Sequence, residues 1–210
     1  MRNVRTWLSV LAVLLLLSGC SEDPQKRLLQ PYSNAVLAPG VGLGDLELGE
    51  TTLSDVVDKL DQGFLTISIT DEETVIELAY LQRQLCLGFT ICGTCKKKLD
   101  AAGKSPRNIG RDLNAFMTEF PDCRRIPLTS ISVGGSGFYQ GATDKGVKLG
   151  SPLAEAEVHK SGDQRIEMAL AGSGPRNGDF IAGEGIVLYH PADNPEAKIT
   201  RITVFKRVEQ

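Results

Sequence analysis

The stretch Gly40-Val41-Gly42-Leu43-Gly44-Asp45-Leu46-Glu47-Leu48-Gly49 opens a glycine-punctuated apolar unit, and a shorter version returns at Lys145-Gly146-Val147-Lys148-Leu149-Gly150. Laying Leu48-Gly49 on Leu149-Gly150 fixes an offset of 101 residues. The same offset carries Ile67-Ser68-Ile69 onto Met168-Ala169-Leu170, and Leu85-Cys86-Leu87-Gly88-Phe89 onto Ile186-Val187-Leu188-Tyr189-His190. Further on the offset falls to 71, where Leu128, Ile131 and Val133 meet Ile199, Ile202 and Val204. The difference of 30 residues is an insertion in the first copy, between about residues 90 and 127. Blocks that share one offset are the mark of an internal duplication.

Each copy reads as a helix followed by strands. In the first, Thr51 or Thr52 to Leu60 puts Leu53, Val56, Val57 and Leu60 on one face, with Thr51, Thr52 and Ser54 as possible N-caps. In the second, the helix is expected from Ser151 to about Lys160, with Pro152 suited to its first position. Strands are expected at 65–70, 75–81, 85–89 and 128–133, and again at 165–171, 184–189 and 199–206. In the last strand Ile202 and Val204 mark the inward face. A helix and an antiparallel meander, twice over, is an α+β fold of two tandem units, the first with a cysteine-rich helical insertion. The expected boundaries are 40–140 and 141–210.

What precedes residue 40 reads as an address. Arg2 and Arg5 lead into an apolar run from Trp7 to Leu17, and then Leu17-Ser18-Gly19-Cys20. A charged start, a short apolar stretch and small residues at a cut describe a secretory signal over 1–19. The tetrad resembles the lipobox of bacterial lipoproteins. The resemblance implies that Cys20 becomes the acylated first residue and anchors the chain to a membrane. It also implies, from Ser21 in the position after the cysteine, the outer membrane facing the periplasm if the source has two membranes. Residues 20–39 read as the lipidated start and a mobile tether.

The opening Gly146-Val147-Lys148-Leu149-Gly150-Ser151 with Glu155 is similar to the helix-opening pattern of the BamE (SmpA/OmlA) and beta-lactamase-inhibitor-like envelope proteins. That resemblance implies a binding or scaffolding module with helices packed on an antiparallel sheet. It carries over no binding residue.

With Cys20 taken by lipid, four cysteines remain: Cys86, Cys92, Cys95 and Cys123. In an exported chain an even set reads as disulfides. The expected pairings are Cys86–Cys123 with Cys92–Cys95, or Cys86–Cys95 with Cys92–Cys123. Cys92-Gly93-Thr94-Cys95 also has the spacing of a redox pair, with Lys96, Lys97 and Lys98 beside it to acidify a thiol. The thioredoxin-like βαβ context is missing, and one C-x-x-C plus two lone cysteines is an incomplete zinc set. The insertion is also basic: Lys96, Lys97, Lys98, Arg124 and Arg125 are the candidate basic surface. They are a solvated face, or a contact for anionic headgroups or an acidic partner. A helix from about Gly110 to Phe120 puts Leu113, Phe116, Met117 and Phe120 on one stripe and stops at Pro121.

Composition limits the function. The chain has 210 residues, 41% of them hydrophobic, and a net charge of −3. Such a charge, with aromatics at only 6%, argues against nucleic acid as a partner. The two histidines, His159 and His190, lie in different blocks, and His190 is expected at the surface. Asp71-Glu72-Glu73 reads as a charged turn. No nucleophile elbow, zincin helix or phosphate loop is present, and no cofactor or metal is implied. The expectation is a lipid-anchored envelope protein, non-catalytic, that binds or scaffolds an envelope protein partner. The alternatives are a thiol-disulfide oxidoreductase through Cys92 and Cys95, and a carrier of a small ligand or lipid headgroup between the copies.

Overall fold

The structure, a computed structural model, describes residues 24–61, 64–69, 74–91, 93–102, 113–135, 137–160, 178–191 and 196–206. The fold is α+β. Two-residue strands β1 (Leu37–Ala38), β2 (Gly42–Leu43) and β3 (Leu46–Glu47) form a small antiparallel sheet, the last two within the glycine-punctuated opening. The main sheet has seven antiparallel strands in the order β4-β5-β6-β7-β10-β9-β8. They are β4 (Phe64–Ile69), β5 (Thr74–Tyr80), β6 (Leu85–Thr90), β7 (Leu128–Gly134), β8 (Gly178–Gly183), β9 (Ile186–Pro191) and β10 (Arg201–Phe205). The helices are α1 (Pro24–Leu29), α2 (Leu53–Leu60), α3 (Gly93–Ala101), α4 (Leu113–Glu119) and α5 (Leu153–Ala156).

Alternation builds the core. Ile76, Leu78 and Tyr80 of β5 stand beside Phe89, Leu87 and Leu85 of β6, which stand beside Ile131 and Val133 of β7. Ile202 and Val204 continue the row on β10, and Leu188 and Ile186 on β9. This face joins Leu53, Val56 and Leu60 of α2, Leu99 of α3, and Leu113, Phe116 and Met117 of α4 in one apolar cluster. The apolar spacing of Leu128, Ile131 and Val133 breaks the period of two, and a bulge resolves it. Gly88 pairs with Ser130 but Phe89 with Leu128, so Thr129 is the extra residue. Its hydroxyl donates to the Gly88 carbonyl at 3.0 Å, and Leu128 turns back into the core.

The other face of the sheet is polar at its centre. Glu77, Cys86, Ser132, Thr203 and Tyr189 are buried there but stand outside the apolar cluster. Arg83 pairs with Glu77 at 2.5 Å, and Thr203 Oγ1 donates to Ser132 Oγ at 2.9 Å across the β7–β10 seam.

The two halves of the sheet share a register. Cys86 pairs with Ser132 and Leu87 with Ile131, as Val187 pairs with Thr203 and Leu188 with Ile202. Offsets of 101 on the outer strand and 71 on the inner one convert the first pairs into the second. At the seam Ser132 pairs with Thr203, 71 residues on. The loops follow suit: the Gly49 N–H donates to the Leu128 carbonyl at 2.8 Å, and the Gly150 N–H to that of Ile199 at 2.7 Å. Both glycines take left-handed backbone, φ +87° and +83°.

Several expectations need correction. The segment read as a mobile tether folds from Pro24 onward: α1 buries Leu29, a 3₁₀ turn (Gln30–Tyr32) buries Tyr32, and β1 buries Leu37. Its apolar residues were enough to join the core. The helix expected from Ser151 to about Lys160 is α-helical only over Leu153–Ala156 and tightens to a 3₁₀ turn at Glu157–His159, with Pro152 at the cap. The expected strand at 184–189 begins at Ile186, because Glu184-Gly185 is the turn of a hairpin with β8. The expected strand at 165–171, the carboxylates at 71–73 and the chain before Pro24 lie outside the described residues. His190 is buried rather than at the surface, being within β9. In α2, Thr52 is the N-cap, and Thr52 and Asp55 form a reciprocal capping box. Such a box contributes about 1 kcal/mol.

Candidate functional site

The insertion does not hang from the body. Cys95 and Leu99 of α3, and Leu113, Phe116 and Met117 of α4, share the common core, and the Phe116 and Phe120 rings lie 5.6 Å apart. After α4 the chain turns at Pro121 into a 3₁₀ segment (Pro121–Arg125) that packs on α2, α3 and α4. Ser54 Oγ of α2 donates to the Arg124 carbonyl at 3.3 Å.

Here the cysteine pairing differs from both expected schemes. Cys95 is bonded to Cys123, and Cys86 is a free thiol. The reason lies in direction. Cys86 sits on the sheet face away from the helices, where it cannot reach the insertion; Cys95 faces inward with Leu99, one helical turn on. Burial pushes the Cys86 thiol up to about 11, with Glu77 adding to the shift and the Arg201 and Arg83 guanidiniums opposing it. Cys92 lies outside the described residues.

The bridge draws the basic residues together. Bonding Cys95 to Cys123 sets Cα atoms 4.9 Å apart, so Lys96 and Arg124 flank a single crosslink. Lys96, Lys97, Lys98, Arg124 and Arg125 are all exposed. Lys98 is paired with Asp122, and Arg124 Nε donates to the Met117 carbonyl at 2.9 Å. Lys96, Lys97 and Arg125 have no anionic partner among the described residues. An exposed pair such as Lys98–Asp122 contributes about 0–1 kcal/mol, so it orders the side chain more than it stabilises the fold. The result is a cationic knuckle, held by a covalent clamp and backed by the core. Rigid presentation lowers the ordering cost of binding.

A second concavity went unread in the sequence. Four turns converge on a cavity of about 290 Å³ lined by Pro39, Gly40, Asp144, Lys145, His159, Glu184, Gly185 and Ile186. Close backbone approach builds it: a Cβ on Gly183 would lie 1.9 Å from the His159 carbonyl oxygen. His159 is buried, its Nε2 is 2.8 Å from Thr143 Oγ1, and the Lys145 ammonium donates to the Val158 carbonyl at 2.9 Å. Burial lowers the imidazole pKa, with the Asp144 carboxylate opposing the shift and the Lys145 ammonium adding to it. No three His, Cys, Asp or Glu side chains among the described residues are placed to hold a metal ion.

The chain matches no family model, no curated protein and no solved structure. No helix among the described residues is long and apolar enough to cross a membrane.

Proposed function

We propose that this chain is a lipid-anchored envelope protein, held by an acylated Cys20, and that it is a non-catalytic binding module for an acidic protein partner. The observation that supports this reading is the cystine-clamped knuckle, with Lys96, Lys97, Arg124 and Arg125 exposed around one buried crosslink. Asp122 is taken up by Lys98, and the remaining cations on a rigid face steer an oppositely charged partner and fix its register. Oxidation of Cys95 and Cys123 accords with an exported chain. The buried Cys95 is bonded to Cys123, which counts against a Cys92–Cys95 redox pair, since redox thiols need exposure and a low pKa.

The body itself is best understood as a duplicated unit. The matching β6–β7 and β9–β10 registers support this, with Ser132 and Thr203 meeting at the seam. On that reading the first copy's addition is the 30 extra residues that lie between about 90 and 127, and the binding function resides in what the second copy lacks.

The test is a photo-crosslinking residue at Lys97 in the protein as exported. A discrete protein adduct is expected, lost on charge reversal of Lys96, Arg124 and Arg125 and on replacing Cys95 and Cys123 by alanine. Adducts to lipid alone would support the carrier reading, and an adduct indifferent to the charges would refute the knuckle.

A further inference from the structure

We propose that the outer face of α1 lies on the lipid surface, so that the body is held flat against the membrane rather than displayed on a long tether. The proposal rests on the lipid-anchor reading of Cys20 and adds to it a surface and an orientation. Three observations carry it.

The first is the length of the leash. The described residues begin with α1 at Pro24, four residue steps from Cys20. At most about 3.6 Å per residue, that chain spans about 14 Å. The acyl chains of a lipidated cysteine are in the hydrocarbon, and its backbone is at the headgroups. Pro24 therefore cannot leave the neighbourhood of the headgroup layer.

The second is that α1 cannot swing away from the body. Leu29 is fully buried in the core, and α1 packs on α2. Gln25 Oε1 accepts from the Leu81 N–H at 3.0 Å, tying α1 to the β5–β6 turn. Just beyond, the Tyr32 hydroxyl donates to Asp45 at 2.8 Å. The leash thus restrains the whole body.

The third is what α1 shows to the outside. Pro24, Lys26, Arg27 and Leu28 are exposed, and Leu28 is one of four large apolar side chains exposed among the described residues, at 45%. A lipid interface accepts this set: leucine enters the acyl boundary while the stems of Lys26 and Arg27 lie along it with their charges in the headgroups. Glu22 and Asp23 in the leash offset the two cations. The contact is accordingly set by tether length and apolar burial, and it forms on zwitterionic lipid as well as anionic lipid.

The experiment uses Leu28→Trp in the full chain. Trp7, the chain's one tryptophan, falls within the expected signal, so residue 28 becomes the single reporter of the processed protein. Arg27→Trp is a second reporter on the same face. Acylated protein extracted from membranes is reconstituted into phosphatidylcholine vesicles, with and without bromine-labelled acyl chains. The expected result is a blue-shifted emission quenched at least twofold by the bromolipid, and a clear loss of quenching when a ten-residue Gly-Ser spacer separates Asp23 from Pro24. Vesicle-bound protein with unquenched emission at both positions would overturn the contact, and quenching indifferent to the spacer would overturn the leash as its cause. Protein that neither floats with vesicles nor carries acyl mass on Cys20 would refute the anchor itself, and the contact with it.

Discussion

Replacing Cys95 and Cys123 together by alanine tests what the clamp does for the fold. The bridge closes a sequence separation of 28. The chain-entropy relation assigns such a loop about 12 cal/mol/K, or about 3.6 kcal/mol at room temperature. Both sulfurs are buried, so their loss adds a smaller packing cost of the same sign. The total is a large part of the roughly 5–15 kcal/mol that holds a typical domain together. With a urea slope of about 2–3 kcal/mol/M, the midpoint should fall by more than about 1 M. Because α3, α4 and the 121–125 turn share the core with the sheet, the loss should register as one earlier transition rather than a separate early phase. The assay is urea unfolding followed by far-UV circular dichroism, with wild type measured oxidised and reduced. A loss under about 1 kcal/mol, with the wild type indifferent to reductant, would refute the reasoning.

Three further outcomes are expected. Leu81, Gln82 and Arg83 take left-handed backbone in succession, at φ +47°, +55° and +71°, and Gln82 is exposed; Gln82→Gly should relieve strain and raise stability by about 0.5–1 kcal/mol, read as a higher Tm. His159 has its pKa lowered by burial, so its contribution is full above the unfolded value near 6.5 and is lost as pH falls toward the folded one. The urea midpoint should drop between pH 7.5 and 5.5, and His159→Gln should flatten that dependence. Cys86, buried and with its thiol pushed up to about 11, should resist iodoacetamide at pH 8 until the protein is unfolded, as peptide mass mapping would report.

The sheet was legible where apolar alternation was strong. Leu85-Cys86-Leu87-Gly88-Phe89 and the spacing of Leu128, Ile131 and Val133 hold the β6–β7 pairing, and the 101 and 71 offsets carry it to β9 and β10. The α2 cap was legible only to within Thr51, Thr52 and Ser54; Thr52 takes the position because Asp55 stands three residues on and returns the bond. The cystine was not, because pairing depends on which sheet face a strand residue takes. Only the position of Cys95 one helical turn from Leu99 hinted that it faces inward. Strand β8 was missed because Gly178-Asp179-Phe180-Ile181-Ala182-Gly183 offers only a three-residue apolar run bounded by glycines, and its hairpin turn was read as strand. The start of the body was missed because Leu29, Tyr32 and Leu37 follow no single period; only the tertiary core uses all three. The His159 cavity left no linear trace, since four separated turns form it.

The most direct measurement is the mass of the membrane-extracted protein, with and without reductant, followed by mapping of its linked peptides. The expected result is a chain starting at Cys20 with acyl mass on that residue, and a Cys95–Cys123 crosslink with Cys86 free. A chain that retains Met1 without lipid, or has Cys95 and Cys123 both reduced, would contradict it.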